Sequence, residues 1–168
     1  MKLCMIGTGY VGLVSGTCFA DIGNQVYCVD KDKNKIDKLN SGVSPIYEPG
    51  LDELIKKNYD ANRLIFTTDI KKAINSSDLI FICVGTPTKK GSLKVDLSFV
   101  YKCVKEILKY TKKKKIIITK STVPVGTGDE IDKILKKKKK LFSVISNPEF
   151  LREGEAIRDF RYPDRIVI

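Results

Sequence analysis

The chain has 168 residues, one domain by length, with 42% hydrophobic and 30% charged side chains, the balance of a globular protein that can bury a core. No apolar run approaches the roughly 18 residues of a membrane-spanning helix, and the short apolar stretch at the N-terminus runs into glycines rather than a cleavage site, so a cytoplasmic location without a membrane partner is expected. The formal net charge is +11, with much of the excess in two lysine runs, residues 112–115 and 136–140.

In chain order, residues 3–6 are a near-continuous apolar run, the signature of a strand buried on both faces. Gly7-Thr8-Gly9-Tyr10-Val11-Gly12 follows at once, and then Val11, Val14, Cys18 and Ile22 recur at helical spacing. A G-x-G-x-x-G run between a strand and a helix is a dinucleotide-binding fingerprint. Gly7 suits a tight turn, Gly9 a close approach to a pyrophosphate, and Gly12 close packing of helix on strand. The pyrophosphate then meets the helix N-terminus, where free N–H groups and the helix dipole favour an anion. Residues 26–29 form the second strand. It leads into Asp30, 18 residues past Gly12, the position of an acidic group that bonds the ribose hydroxyls of NAD. A carboxylate there repels a 2′-phosphate and so favours NAD over NADP, although Lys31, Lys33 and Lys35 work the other way.

Four more strands are predicted over residues 64–66, 79–84, 116–118 and 142–145. Between them, Leu97, Val100, Val104 and Leu108 mark a helix with Asp96 as its N-cap, and Ile131, Ile134 and Leu135 mark another. Residues 165–168 read as one more strand, at which the chain stops, and this suggests a longer parent protein. Alternating strands and helices predict an α/β fold of the Rossmann type: a doubly wound, mainly parallel sheet with helices on both faces.

Ligands bind beyond the carboxyl ends of such strands. Three loops there carry hydroxyls, prolines or carboxylates: Gly85-Thr86-Pro87-Thr88, the segment 120–126 with Thr122, and Asn147-Pro148-Glu149-Phe150-Leu151-Arg152-Glu153-Gly154. Each alone reads equally as turn chemistry; three on the edge of the glycine loop suggest a shared site. Glu149 and Glu153 are four apart, so on a helical turn they share a face, either as an acid–base pair or as charges at a helix N-terminus.

The lysine runs precede strand-like segments, which suits a solvated surface with some lysines facing helix C-termini. They lack the interleaved aromatics of a nucleic-acid site, so no nucleic-acid partner is expected. The chain has no histidine. Cys4, Cys18, Cys28, Cys83 and Cys103 lie in apolar segments without a C-x-x-C pair, so no metal site is expected and the thiols read as reduced core residues.

The stretches 6–13, 44–51, 84–88, 120–126, 146–154 and 163–168 together make the sequence resemble the UDP-glucose/GDP-mannose dehydrogenase family, most closely its bacterial branch acting on UDP-glucose. The resemblance spans nearly the whole chain and matches the family's N-terminal NAD-binding domain over residues 1–168. It implies oxidation of a sugar-nucleotide primary alcohol to a carboxylate in two NAD-dependent steps, through a cysteine-bound intermediate. It also implies that Gly7, Thr8, Gly9, Tyr10, Val11, Gly12, Asp30, Lys35, Gly85, Thr86, Pro87, Thr88, Thr122 and Glu153 contact NAD. Thr122 further holds a catalytic water, Glu149 is the general acid–base of thioester hydrolysis, and Glu149, Phe150, Leu151, Arg152 and Glu153 line the sugar-nucleotide site.

The family's glycine-rich cysteine motif does not occur here, and none of the five cysteines fits it. The family's second domain, which carries the nucleophile and builds a homodimer, therefore lies outside these residues. The expectation is a cofactor domain inactive by itself. The alternatives are a free-standing NAD module with a separate catalytic chain, and the same domain of a GDP-mannose or UDP-N-acetylmannosamine dehydrogenase.

Overall fold

A computed structural model describes residues 1–89 and 91–168. Six strands form the sheet: β1 (Lys2–Ile6), β2 (Gln25–Val29), β3 (Leu64–Thr67), β4 (Leu79–Ile82), β5 (Lys115–Thr119) and β6 (Phe142–Ser146). All pair in parallel, in the order β3-β2-β1-β4-β5-β6. The strand order reverses between β1 and β4, which opens a crevice at their carboxyl ends.

Side-chain alternation along each strand splits the core into two layers. Leu3 and Met5 face one way, together with Val26, Cys28 and Phe81; there they meet α1 (Tyr10–Asp21), α2 (Lys33–Asn40), α3 (Leu51–Asp60) and α7 (Ala156–Arg161). Cys4, Ile6, Ile80, Ile82 and Ile117 face the other way, against α4 (Ile70–Ser76), α5 (Ser98–Tyr110) and α6 (Thr127–Leu135). The fold is thus the expected doubly wound α/β layer structure, with a sheet that is parallel throughout.

Several local expectations change. Helix α1 is buried from Gly12 through Cys18 rather than along one stripe, because it lies between the sheet, α3 and α7. Ile22, assigned by periodicity to its inner face, is instead the exposed residue that ends it. The N-cap of α5 is Leu97; Asp96 stands one residue earlier, and its Oδ1 accepts from Ser98 N–H at 2.9 Å. The fourth strand stops at Ile82, and residues 83–84 already turn into the loop. Residues 165–168 are not a strand: the sheet ends at β6, this segment has no backbone ladder, and its carbonyl at Val167 accepts only from Asn147 Nδ2 at 2.8 Å among the described residues. Helices α2, α3, α4 and α7 were not foreseen.

The lysine runs divide. Lys115 opens β5 and is buried, so it is not part of a solvated face; its Nζ donates to the carbonyls of Ser77 and Asn75 at the end of α4. Lys138 donates to Leu108 O at 3.0 Å near the end of α5. Both fit a cation at a helix C-terminus. For Lys137, Lys139 and Lys140 the expectation lies outside the described side chains.

Candidate functional site

The parallel sheet brings the loops after β1, β2, β4, β5 and β6 to one edge. Gly7 turns the chain there with φ +105°, a conformation that glycine accepts without strain. A Cβ on it would lie 2.6 Å from Cys83 O, and one on Gly12 would lie 1.9 Å from Gly7 O. Both positions admit only glycine, for turn and packing respectively. Gly9 is different: a Cβ there would meet nothing within 4 Å, so its backbone faces open space at the start of α1. That is the cradle a pyrophosphate needs. Gly16, which the motif does not include, packs as tightly, with its Cβ position 2.7 Å from Cys28 Sγ.

Asp30 reaches back to this loop. Its Oδ2 accepts from Thr8 N–H and the Thr8 hydroxyl, each at 2.9 Å, and from Lys35 Nζ at 3.3 Å, while Oδ1 accepts from Asp32 N–H at 3.1 Å. Burial alone would raise the Asp30 pKa; the bonds from Thr8 and Asp32 and the Lys35 charge outweigh it and hold the carboxyl below its ordinary range. The structure therefore joins Thr8, Asp30 and Lys35 into one cluster beside the glycine turn.

The later loops meet as well. Thr86 Oγ1 donates to Thr122 O at 2.9 Å, and Ser121 Oγ donates to Val84 O at 2.7 Å. Pro87 O accepts from Asp96 N–H at 2.7 Å, and Thr88 bridges to Val95, which folds this loop back toward α5. Gly85 and Thr122 are exposed on the same edge.

Residues 147–152 are irregular and 153–155 form a turn. Glu149 and Glu153 therefore do not share a helical face. Pro148 lacks a backbone donor, Glu149 Oε2 accepts from Leu151 N–H at 2.6 Å, and Gly154 has φ +89°, all of which oppose a helix here. Arg152 is held by Asp159 through its backbone N–H, Nε and Nη2, at 2.9, 3.0 and 2.6 Å, and the pair pulls the Asp159 carboxyl down to about 2. The Phe150 ring lies under Arg165, 4.7 Å from its guanidinium carbon, and Glu153 is exposed.

A cleft of about 910 Å³ runs along this segment, lined by Glu149, Phe150, Leu151 and Arg152 with Lys120 and Asn147. It does not include Thr122, Glu153 or the glycine loop.

Three residues to which the sequence assigns no role of their own stand out. Lys120 is buried, with Nζ 3.3 Å from Asn147 Oδ1; burial pushes its ammonium down, and the Glu149 charge opposes that. Glu48 is buried between the glycine loop and the start of α7; it accepts from the Tyr10 hydroxyl, from Gly154 N–H at 2.8 Å and from Ala156 N–H at 2.8 Å. The same hydroxyl oxygen lies 3.3 Å from Arg152 O. The third is Gly16; a small residue one turn beyond Gly12 was its only signal.

No group of metal-binding side chains occurs among the described residues, and no described helix is long and apolar enough to cross a membrane. The five cysteines are free and buried, and burial pushes the Cys18 and Cys83 thiols up to about 12 and Cys103 to about 11.

Residues 1–168 match the family model described as the UDP-glucose/GDP-mannose dehydrogenase family, NAD binding domain. The chain is 55% identical to the UDP-glucose 6-dehydrogenase of Rhizobium meliloti (strain 1021), over 100% of this chain and 39% of that protein. It is 54% identical to the UDP-glucose 6-dehydrogenase TuaD of Bacillus subtilis (strain 168), over 99% and 37% respectively. Among solved structures, a ternary complex of the Pseudomonas aeruginosa GDP-mannose dehydrogenase superposes with a TM-score of 0.92 at 38% identity, covering 99% of this chain and 40% of that one. The chain thus spans about two-fifths of the length of these relatives. With Gly9 open at the switch point and Asp30 bonded to the glycine loop from the end of β2, the family match over every residue leads to one conclusion: the chain belongs to the UDP-glucose/GDP-mannose dehydrogenase family, as its NAD-binding domain.

Proposed function

We propose that this chain supplies the NAD site and one wall of the substrate site of an enzyme that oxidises UDP-glucose to UDP-glucuronate, with two NAD consumed in two steps. The observation that carries this is the contact between the two halves of the edge: Tyr10, in the glycine loop, meets the Arg152 carbonyl at 3.3 Å and the Gly154 N–H at 3.2 Å. A dinucleotide on the loop and a sugar nucleotide against residues 149–153 would then lie side by side. NAD supplies the hydride acceptor when bound. Asp30, with Thr8 and Lys35 around it, would receive the adenosine ribose, and the first-turn N–H groups of α1 the pyrophosphate. Gly85, Thr86, Pro87, Thr88 and Thr122 would line the rest of the cofactor site, with Glu153 beside it. Thr122 would hold the water, and Glu149 would take its proton in thioester hydrolysis.

The chain has no thiol fit to be the nucleophile. A thiolate attacks, and burial disfavours the thiolate at the five cysteines. On this reading the nucleophile lies in the part of the family that these residues do not span, or in a separate catalytic chain, and the whole enzyme works as a cytoplasmic homodimer without nucleic-acid or membrane partners. UDP-glucose is preferred over GDP-mannose and UDP-N-acetylmannosamine because the relatives at 54–55% identity carry the UDP-glucose name, against 38% for the GDP-mannose enzyme. The test is NADH yield per sugar nucleotide from the protein as its cell makes it. UDP-glucose should give two NADH per molecule; a single NADH, or turnover with GDP-mannose alone, would overturn the assignment.

A further inference from the structure

Residues 147–155 carry the substrate side of this reading, yet they form no strand and no helix. An irregular segment keeps a fixed place only where specific bonds offset its conformational entropy. Its internal bond, Glu149 to Leu151 N–H, and its tie to α7, Arg152 to Asp159, do not reach α1. At the far end of α1, the Phe19 and Phe160 rings pack edge-on at 4.9 Å and Asp21 pairs with Arg161 at 2.8 Å, which ties down α7. At the near end, beside the glycine loop, the polar bonds converge on Glu48.

Glu48 lies in the loop between α2 and α3 and is only 5% exposed. No lysine or arginine pairs with it among the described residues. A buried carboxylate without a cation is costly unless donors surround it. Here they do: the Tyr10 hydroxyl, Gly154 N–H, and the N–H of Ala156 that opens α7. Burial would raise its pKa, and these bonds more than reverse that, so Glu48 stays charged. Burial, and after it the bond to Glu48, push the Tyr10 phenol up, so it remains a donor. Gly154 N–H is shared between Glu48 Oε2 at 2.8 Å and the Tyr10 hydroxyl at 3.2 Å.

Tyr10 is also the first residue of α1. Its backbone N–H is one of the first-turn donors that a helix leaves without an intrahelical partner and offers to an anion. One residue thus faces the dinucleotide through its backbone and the substrate segment through its side chain. We propose that Glu48 is a positioning residue: with Tyr10 it clasps residues 149–154 to the dinucleotide loop, so that filling the loop with NAD fixes the wall that faces the sugar nucleotide. This rests on the placement of cofactor and substrate given under Proposed function.

The test is amide hydrogen exchange at Gly154 and Ala156, with and without NAD, in the protein as its cell makes it, alongside KM and kcat for UDP-glucose. In the unmodified protein NAD should slow exchange at both amides about tenfold, the scale of a charge-assisted hydrogen bond tightening. Glu48→Gln keeps the shape and loses the charge. It should cut the NAD-dependent slowing to within about twofold and raise KM for UDP-glucose more than it lowers kcat. Tyr10→Phe removes one hydroxyl without disturbing the backbone, and it should reproduce the loss of slowing even where Glu48→Gln fails to fold. A merely structural Glu48 would change exchange equally with and without NAD. That result, or full NAD-dependent slowing in both variants, would overturn the proposal. A calorimetric blank with NAD before any substitution would instead overturn the cofactor placement beneath it.

Discussion

Asp30 collects four donors, two from Thr8, one from Asp32 and one from Lys35, and this arrangement both orients the carboxylate and keeps it charged. A ribose diol bound there would exchange with donors already aimed at the same oxygens, whereas a 2′-phosphate would meet a fixed negative charge. Asp30→Ala should therefore weaken NAD binding about tenfold, the scale of a lost charged hydrogen bond, and relax discrimination against NADP; parallel calorimetric titrations with both nucleotides would show this. An unchanged NAD-to-NADP ratio would remove Asp30 from the ribose site. Residues of this kind were legible because their spacing is local: three glycines after a strand, then an acid at the end of the next. Glu48 was not legible as a site residue. Its stretch 44–51 carries the resemblance, but its partners Gly154 and Ala156 lie more than a hundred positions away, so no spacing points to its role. Lys120 opens the loop 120–126 picked out by its composition, but its own burial and its contact with Asn147 come only from the fold.

At the scale of elements, the parallel sheet with helices on both faces followed from buried apolar runs, but the strand order, the helix ends and the weakly patterned helices did not. Periodicity misjudged α1 because a helix covered on nearly all sides has no polar stripe to reveal its phase. Residues 165–168 have strand-like composition but pair with no strand among the described residues, and composition alone cannot supply one. The buried Lys115 shows the opposite failure: within a lysine run, one member caps α4 from the start of β5. Lys115→Met keeps the aliphatic stem and removes the donor, so it should lower unfolding stability by about 1–2 kcal/mol, measurable by denaturant titration; no change would make the bond incidental. Asp21 joins three elements, α1 through itself, α3 through Lys57 and Asn58 and α7 through Arg161. The hydrogen bond from Lys57 is the largest influence, and it and its companions lower the Asp21 pKa below the ordinary 3.8 against the opposing effect of burial. Because the folded value is the lower one, this stabilisation is complete above the unfolded value and is lost as pH falls through the folded one. Thermal melts from about pH 5 down to about pH 2 should thus show a flatter acid dependence for Asp21→Asn than for the unmodified chain; parallel curves would contradict the linkage.

For the whole molecule, the loops after β1, β2, β4, β5 and β6 gather at one edge, and the chain's thiols are sequestered within the core. A thiol reagent should modify none of the five cysteines in the folded chain and all five after denaturation. With UDP-glucose and NAD, this chain by itself should form no NADH; steady formation would place a nucleophile within these 168 residues. The central claim is that the crevice between β1 and β4, with Gly9 open and Asp30 in place, is a working NAD site. Calorimetric titration of the chain with NAD tests it most directly. One NAD per chain, bound more tightly than NADP, is the expected result; absence of binding in a demonstrably folded sample would contradict the account.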